Sequence, residues 1–345
     1  MTHKANGSAF AKRPKRVTLQ DIAEVAGVKK MVVSNALNGT RSVAPTTREK
    51  IQRIASELNY IPNFAARALT QGHTGIIAVI SGPVNEPYYS TMVHLLENHL
   101  HAENYHLMLL RTPGEVEELV NATGNLAVDG AIAVDMLNLV NEFRSHPTIP
   151  CVSISTSRQA FVDNIFVDLS ASVKEAIRLM LAAGRRRIAY LVTAECMALE
   201  TEVRAGAYLE AMRAAGHTPE IINVATDDLD VLEQNFATYV EANGCPDALL
   251  CQNDETAMCA FEVLRKLNYA IPKDVLLVGC DGQRHMKYFT PPLSTIIQPM
   301  EEICALAWQF LQQRIAQPGL PHQEATVQGT LIVRASLHSS PAPDV

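Results

Sequence analysis

No Cys-x-x-Cys pair occurs among the seven cysteines, Cys151, Cys196, Cys245, Cys251, Cys259, Cys280 and Cys304, and most lie inside apolar runs. An odd, scattered set argues against a disulfide framework and a zinc ribbon. It reads as reduced, core-filling thiols, the pattern expected of a cytoplasmic protein. Missing too is any apolar stretch approaching the ~20 residues that a membrane helix requires. No apolar core follows the Lys and Arg residues near the N-terminus, so a secretory leader is not expected. G-x-G-x-x-G, G-x-S-x-G and P-loop patterns are absent, which removes the usual sequence marks of dinucleotide enzymes, serine hydrolases and nucleotide triphosphatases. There is no low-complexity segment and no short-period repeat.

What the sequence has is length, apolar content and a divided charge. At 345 residues, 48% hydrophobic and 19% charged, it predicts a small domain beside a large, well-packed one. The net charge of −7 conceals an asymmetry. Residues 1–72 carry 12 Lys/Arg against 4 Asp/Glu, whereas residues 73–345 carry 17 against 32. A basic end on an acidic body suits a polyanion partner for the first segment alone; a solubilising arm would have the same charge.

Residues 1–16 lack periodicity and read as a disordered basic tail. From there a helical rhythm begins. Thr18 can cap a short helix with Asp21 at the capping-box position, and Leu19, Ile22, Ala23 and Ala26 fall on one side. Gly27 can end it in a left-handed turn. A second helix is predicted over about 30–38, with Val28, Val33 and Leu37 inward. A third runs from Pro45 to about Asn59 on a stripe of Ile51, Ile54, Ala55 and Leu58. Pro62 stops it, Asn63 can cap a two-turn segment ending near Gly72, and a helix so short is marginal unless something holds it.

Two short helices around a glycine turn, crossed by a third, form a helix-turn-helix unit over 17–62. Its second helix enters the major groove. Lys29, Lys30, Met31, Ser34, Asn35 and Asn38 then face outward. Asn pairs well with adenine and Lys with guanine, while Met offers apolar contact. Thr18, Arg41, Thr46 and Arg48 are placed to hold phosphates. A small helical subdomain with a solvated basic face is the competing reading.

Beyond Gly75 the pattern changes. Apolar runs at 75–80, 106–110, 130–134, 151–155, 187–192, 248–252 and 275–280 alternate with amphipathic stretches. Continuous hydrophobicity implies strands buried on both faces, and alternation with helices implies a doubly wound parallel sheet. Over roughly 265 residues this makes two α/β lobes.

VTLQDIAEVAGVKKMVVSNALNG, then VAPTTREKIQRIASELNYIPN, then AARAL, resembles the head and hinge of the lac repressor/galactose repressor family. The likeness continues through NEPYYSTM (85–92), VDGAI (128–132), RAGAY (204–208), NDETAMCAF (253–261), IPKDVLLVGCDG (271–282) and PPLSTIIQP (291–299). The resemblance implies a helix-turn-helix head on a core of periplasmic-binding-protein type. It implies a homodimeric repressor that reads double-stranded operator DNA under control of a small effector, with no cofactor. Residues 63–74 become a hinge helix and linker; Leu69 matches the residue that wedges into the central base step, and Ala66 the small residue that lets two such helices approach. An apolar wedge can kink DNA, which agrees with the bottom-up reading. The core, 75–345, would divide into a lobe of about 75–168 with 298–327 and another of about 169–297 with 328–340.

By the same resemblance Tyr88, Phe166, Arg204, Asn253, Asp281 and Gln298 line the effector pocket. Asp accepts hydrogen bonds from adjacent hydroxyls while Arg and Asn fix oxygens, so a sugar or polyol is favoured, with nucleoside-like ligands also known in such sensors. A structural Arg204–Asp281 ion pair is the bland alternative. The chain departs from the family at Lys29 for Ser, Val32 for Thr, Asn35 for Arg, Ser155 for Asp, Leu169 for Asn, Cys280 for an aromatic residue and Gly282 for Asp. The span between Leu110 and Val128 is about five residues short. No leucine-zipper tail follows residue 338. His94, Glu97 and His101 share one helical face, and this reads as a solvated or subunit-facing surface before a metal site. A solute-binding transport protein would share the core, but not a basic three-helix head.

Overall fold

The computed structural model describes residues 17–38, 43–60, 73–121, 128–136, 149–159, 161–193, 202–226 and 228–338. Two compact units divide between Thr70 and Gln71.

In the first unit, α1 (Leu19–Ala26) opens on the capping box read from the sequence. The backbone N–H and hydroxyl of Thr18 each donate to Asp21 Oδ2 at 2.7 Å, and the Asp21 N–H returns to Thr18 Oγ1 at 3.3 Å. Gly27 ends the helix at φ 69°, a left-handed turn that suits glycine. α2 (Lys30–Asn38) and α3 (Pro45–Glu57) follow. Ile22, Ala23, Ala26, Val33, Ala36, Ile51, Ile54 and Ala55 are buried together. Val28 and Leu37, expected inside, are only half-buried; Ala36, one turn beyond Val33, is buried instead. α3 ends two residues before Asn59, which turns left-handed at φ 51°. Lys50 Nζ donates to the Ala26 carbonyl at 2.9 Å, tying α3 to the open C-terminal end of α1.

The second unit contains two sheets. β1 (Ile76–Ile80), β2 (His106–Leu110), β3 (Gly130–Val134), β4 (Cys151–Ser155), β5 (Asp163–Asp168) and the distant β11 (Glu324–Gln328) form one, ordered β11-β5-β4-β3-β1-β2 and wholly parallel. β6 (Ile188–Val192), β7 (Glu220–Asn223), β8 (Ala248–Cys251), β9 (Leu276–Asp281), β10 (Ser294–Ile297) and β12 (Thr330–Ile332) form the other. Its order is β12-β10-β9-β8-β6-β7, parallel except where β12 runs against β10. The connecting helices are α4 (Pro87–Ala102), α5 (Pro113–Asn121), α6 (Ser170–Ala182), α7 (Val203–Ala214), α8 (Leu229–Asn243), α9 (Asp254–Lys266) and α10 (Met300–Ala316). Helices cover both faces of each sheet, so β3, β4, β6 and β9 are buried at every position, as unbroken apolar runs require.

The chain passes between the sheets three times, at Leu169, at Gln298–Pro299 and at Gly329. These passages touch. Gly329 N donates to Asp168 O at 3.0 Å, Ser172 Oγ donates to Gly329 O at 2.7 Å, and Gln328 Nε2 donates to Asp168 Oδ2 at 3.2 Å. A Cβ on Gly329 would collide with Leu169 Cδ2 and press on Ile296 and Ile297, so close approach demands glycine there.

One buried ion pair fixes the first lobe. Arg314 of α10 grips Asp163 at the start of β5 through Nη2–Oδ1 at 2.6 Å and Nε–Oδ2 at 2.9 Å, and Gln323 donates from N and Nε2 at 2.8 and 3.1 Å. Asp163 is 1% exposed. Burial raises its pKa, but the hydrogen bonds from Arg314 and Gln323 more than reverse this and hold the carboxyl below its usual range. A depressed carboxylate pKa contributes stability above the unfolded value near ~4 and loses it as pH falls further. Arg314→Met should therefore cost about 3 kcal/mol in urea unfolding at neutral pH by stranding a buried carboxylate, and the gap to the parent should narrow below about pH 4. In the first unit, Thr18→Ala should cost about 1 kcal/mol by loss of the cap, read as a lower thermal midpoint for the three-helix unit.

Candidate functional site

In the three-helix unit, α2 opens on exposed residues. Lys29, Lys30 and Met31 project into solvent, Met31 at 64% exposure, while Ser34 and Asn35 are half-buried one turn on. An exposed helix start that carries two lysines adds their charge to the positive end of the helix dipole and attracts anions. Thr46 is exposed at the start of α3, with Arg48 half-buried beside it. The Thr18 hydroxyl is engaged by Asp21, so a phosphate contact there would share a group already used for capping. Asn38 closes α2. Arg41, Asn63, Ala66 and Leu69 lie outside the described residues.

In the two-sheet unit, strand order reverses at β1/β3 in one sheet and at β6/β8 in the other. Carboxyl ends of strands at such reversals form the crevice where ligands of open α/β sheets bind. Four of the six pocket residues expected from sequence stand at or next to strand ends of the second lobe. Asp281 ends β9, Gln298 follows β10, Asn253 follows β8 as the N-cap of α9, and Arg204 lies in the first turn of α7. Tyr88 opens α4 after β1.

Each has defined partners. Arg204 Nε donates to Glu202 Oε1 at 2.8 Å and Nη1 to the Gln252 carbonyl at 2.6 Å. Burial works against the guanidinium charge, yet Glu202, followed by Tyr190, Cys280 and Asp281, holds its pKa above the ordinary value. The ion pair of Arg204 is thus with Glu202, the N-cap of its own helix, and not with Asp281. Asn253 Oδ1 accepts from Thr256 N at 2.8 Å and Thr256 Oγ1 at 2.7 Å, so its NH2 is the part that can serve a ligand. Gln298 Nε2 donates to Asp281 Oδ1 at 2.8 Å. Burial, then the charge of Asp254, push the Asp281 carboxyl well above its ordinary range, against the pull of Arg204 and Gln298. Burial raises the Tyr88 phenol as well, and the charges of Asp135 and Asp281 add to it.

Phe166 belongs to the first lobe. It lies on β5, opposite Ser155 of β4, and the Arg158 guanidinium caps its ring at 4.3 Å from the centroid. His94, Glu97 and His101 are exposed on α4, and His94 Nε2 lies 3.3 Å from Asn98 Nδ2.

Sequence reasoning missed three acidic residues. Asp135 follows β3 at φ 52°; its N–H donates to Ile154 O at 2.8 Å, and its carboxylate accepts from the Thr156 backbone. Burial raises its pKa, while Arg204 lowers it and Glu202 raises it, which brings a first-lobe carboxylate into the field of second-lobe groups. Glu202 could have been found from its place two residues before Arg204. Asp254, fully buried, accepts from Thr295 Oγ1 at 2.7 Å and Gln283 N at 2.6 Å and so fixes the turn that carries Asp281. Burial pushes its pKa up to about 7. A Cβ on Gly279 would collide with Asp254 Oδ1, so that glycine makes room for the carboxylate. Tyr89 is the remaining neighbour, its ring 5.2 Å from that of Tyr88 and within 2.5 Å of where a Cβ on Gly82 would stand.

Comparison with known proteins agrees with this fold. Residues 18–63 match the model of bacterial regulatory proteins of the lacI family, and residues 177–337 match a periplasmic binding protein-like domain. The chain is 27% identical over 329 residues to the ribose operon repressor of Haemophilus influenzae, covering 93% of this chain and 99% of that protein. Among solved structures, the lac repressor dimer bound to operator and the anti-inducer ONPF superposes with a TM-score of 0.80 at 20% identity, over 94% of this chain and 99% of that one. The complex of the transcriptional regulator CelR with cellobiose gives a TM-score of 0.65 at 24% identity, over 93% and 100%. The head is thus that of bacterial regulatory proteins of the lacI family and the core is of periplasmic-binding-protein type, the build of LacI-family transcriptional regulators.

Proposed function

We propose that the chain is a cytoplasmic repressor that binds a near-palindromic operator as a homodimer, under allosteric control by a sugar or polyol held between the lobes of its core. Two-fold symmetry of the protein imposes two-fold symmetry on the site it reads. The observation that carries the DNA half is the exposed start of α2, where Lys29, Lys30 and Met31 stand free of the helical core. Thr18, Arg41, Thr46 and Arg48 would hold backbone phosphates, while Ser34, Asn35 and Asn38 reach toward bases. Asn63, Ala66 and Leu69 would belong to a hinge helix that folds on the minor groove. No helix among the described residues is long and apolar enough to cross a membrane.

The ligand half rests on the group formed by Tyr88, Arg204, Asn253, Asp281 and Gln298, with Phe166 at the pocket edge. Asp281 and Gln298 offer acceptors for hydroxyl groups, and the Asn253 NH2 a donor for a ring or hydroxyl oxygen. By their names the relatives include a ribose operon repressor and a regulator bound to cellobiose, and also several repressors called PurR.

Selection of random duplexes by the full chain should enrich a site with two inverted halves centred about one helical turn apart. Affinity for that site should fall steeply with salt. Absence of any enriched duplex, or a flat salt dependence, contradicts the reading. On the selected site Lys30→Ala should weaken binding and reduce the salt slope by about one. Leu69→Ala should weaken binding while sparing ligand affinity; equal operator affinity for parent and variant rules out the wedge. A thermal-shift screen of sugars, polyols and nucleosides should show stabilisation by a binder through mass action.

A further inference from the structure

The polypeptide that joins the two units enters the core at residue 73 and is fixed at once. Thr74, 3% exposed, donates to Asp129 Oδ1 from its backbone N–H at 2.5 Å and from its hydroxyl at 3.0 Å, and Gly75 N donates to Asp129 Oδ2 at 2.7 Å. The Asp129 side chain is 6% exposed, and the half-exposed His73 imidazole lies 3.9 Å from its Oδ2. Backbone bonds add to the grip: Asp129 N donates to Ile76 O and His106 N to Gly75 O, each at 2.8 Å. Hydrogen bonds onto a carboxylate are about twice as strong as neutral ones. Here three converge on the two residues ahead of β1, which lie outside the registers pairing β1 with β2 and β3. Those registers hold the strand in its sheet; the carboxylate fixes the approach to it. Gly75 sits at φ 71°, where glycine has its widest freedom, so an unclamped chain would swivel there. Asp129 stands at the amino end of β3, away from the carboxyl-end crevice, and is no part of the ligand group.

We propose that Asp129 sets the half-site spacing that the dimer accepts in its operator. The idea rests on the reading above, a homodimer on a near-palindromic duplex, and adds what holds its two heads to one geometry. Each head is tethered to its core through residues 73–75. With Thr74 and Gly75 pinned to a carboxylate at the start of β3, each linker leaves its core in a fixed direction. The pair can then present both heads only to half-sites of matching distance and phase. One inserted base pair moves a half-site by about 3.4 Å and turns it by about 35°, a displacement that a clamped exit resists and a swivelling one absorbs. Asp129 is thus a positioning residue, acting through the direction of the chain and not by contact with a base.

The test measures binding of the full chain to the duplex recovered by selection and to versions with one or two base pairs inserted at its centre. The parent should lose about tenfold or more in affinity for one inserted base pair. Asp129→Asn keeps the shape of the side chain but turns one acceptor oxygen into an NH2, which would meet the N–H of Thr74 or Gly75 donor to donor. In this variant the spacing penalty should shrink severalfold, even where the best-spaced duplex also binds more weakly. Should it fail to fold, Thr74→Val, which removes one of the three donors at nearly unchanged size, should lower the penalty in the same sense. An equal loss of affinity at every spacing in the folded variant leaves the penalty as in the parent; the clamp is then structural only and the proposal is overturned. A parent that binds all spacings alike overturns it as well, with the repressor reading intact. Selection that enriches no duplex overturns that reading and the proposal together.

Discussion

Three chain passages between the two sheets meet around Gly329, Leu169 and Gln298, and the behaviour of the core follows from how closely they touch. Glycine at 329 lets the backbone lie against Leu169 and Ile297, and Asp168 holds that strand through both its carbonyl and its side chain. Gln298 belongs to one of these passages and also bonds Asp281, the carboxylate at the end of β9. A molecule that uses an oxygen of Asp281 therefore shares that carboxyl with a bond made by the connecting segment itself. A ligand bound there, as proposed, would act on a group tied to the join of the lobes, which is what favouring one lobe arrangement over another requires.

The electrostatics of the cleft are arranged by supports as much as by the groups a ligand would touch. Glu202 caps α7 and holds Arg204 in place. Asp254 accepts from Thr295 and from the backbone after β9, which sets the strained conformation at Asp281. Gly279 leaves space for Asp254. Such supports hold the Asp281 carboxyl in water-poor surroundings, where burial pushes its pKa well above the ordinary range.

The strands that the sequence revealed are those buried on both faces, β1, β3, β4, β6, β8 and β9, along with the apolar edge strand β2. β7 is short and half-exposed, β11 alternates between exposed and covered positions, and β12 has three residues, so none carries a continuous apolar run. The capping box at Thr18 and the turn at Gly27 were legible because both depend on residues within four positions of each other. Val28 and Leu37 were misjudged as fully buried because periodicity marks a face, whereas depth depends on the neighbouring helix. Arg204, Asn253, Asp281 and Gln298 were reached through resemblance. Asp135 was not, since nothing within its own segment signals that a residue 69 positions later, Arg204, shares its surroundings. Long-range proximity of charges is a property of the folded topology and leaves no local pattern to read.

The central claim is that the cleft and the DNA-binding head act on one equilibrium. It is tested most directly by measuring ligand affinity for the full chain with and without a saturating amount of the duplex recovered by selection, alongside duplex affinity with and without ligand. Linkage predicts that both affinities change by the same factor, between about 5 and 150. Two affinities that ignore each other would contradict it.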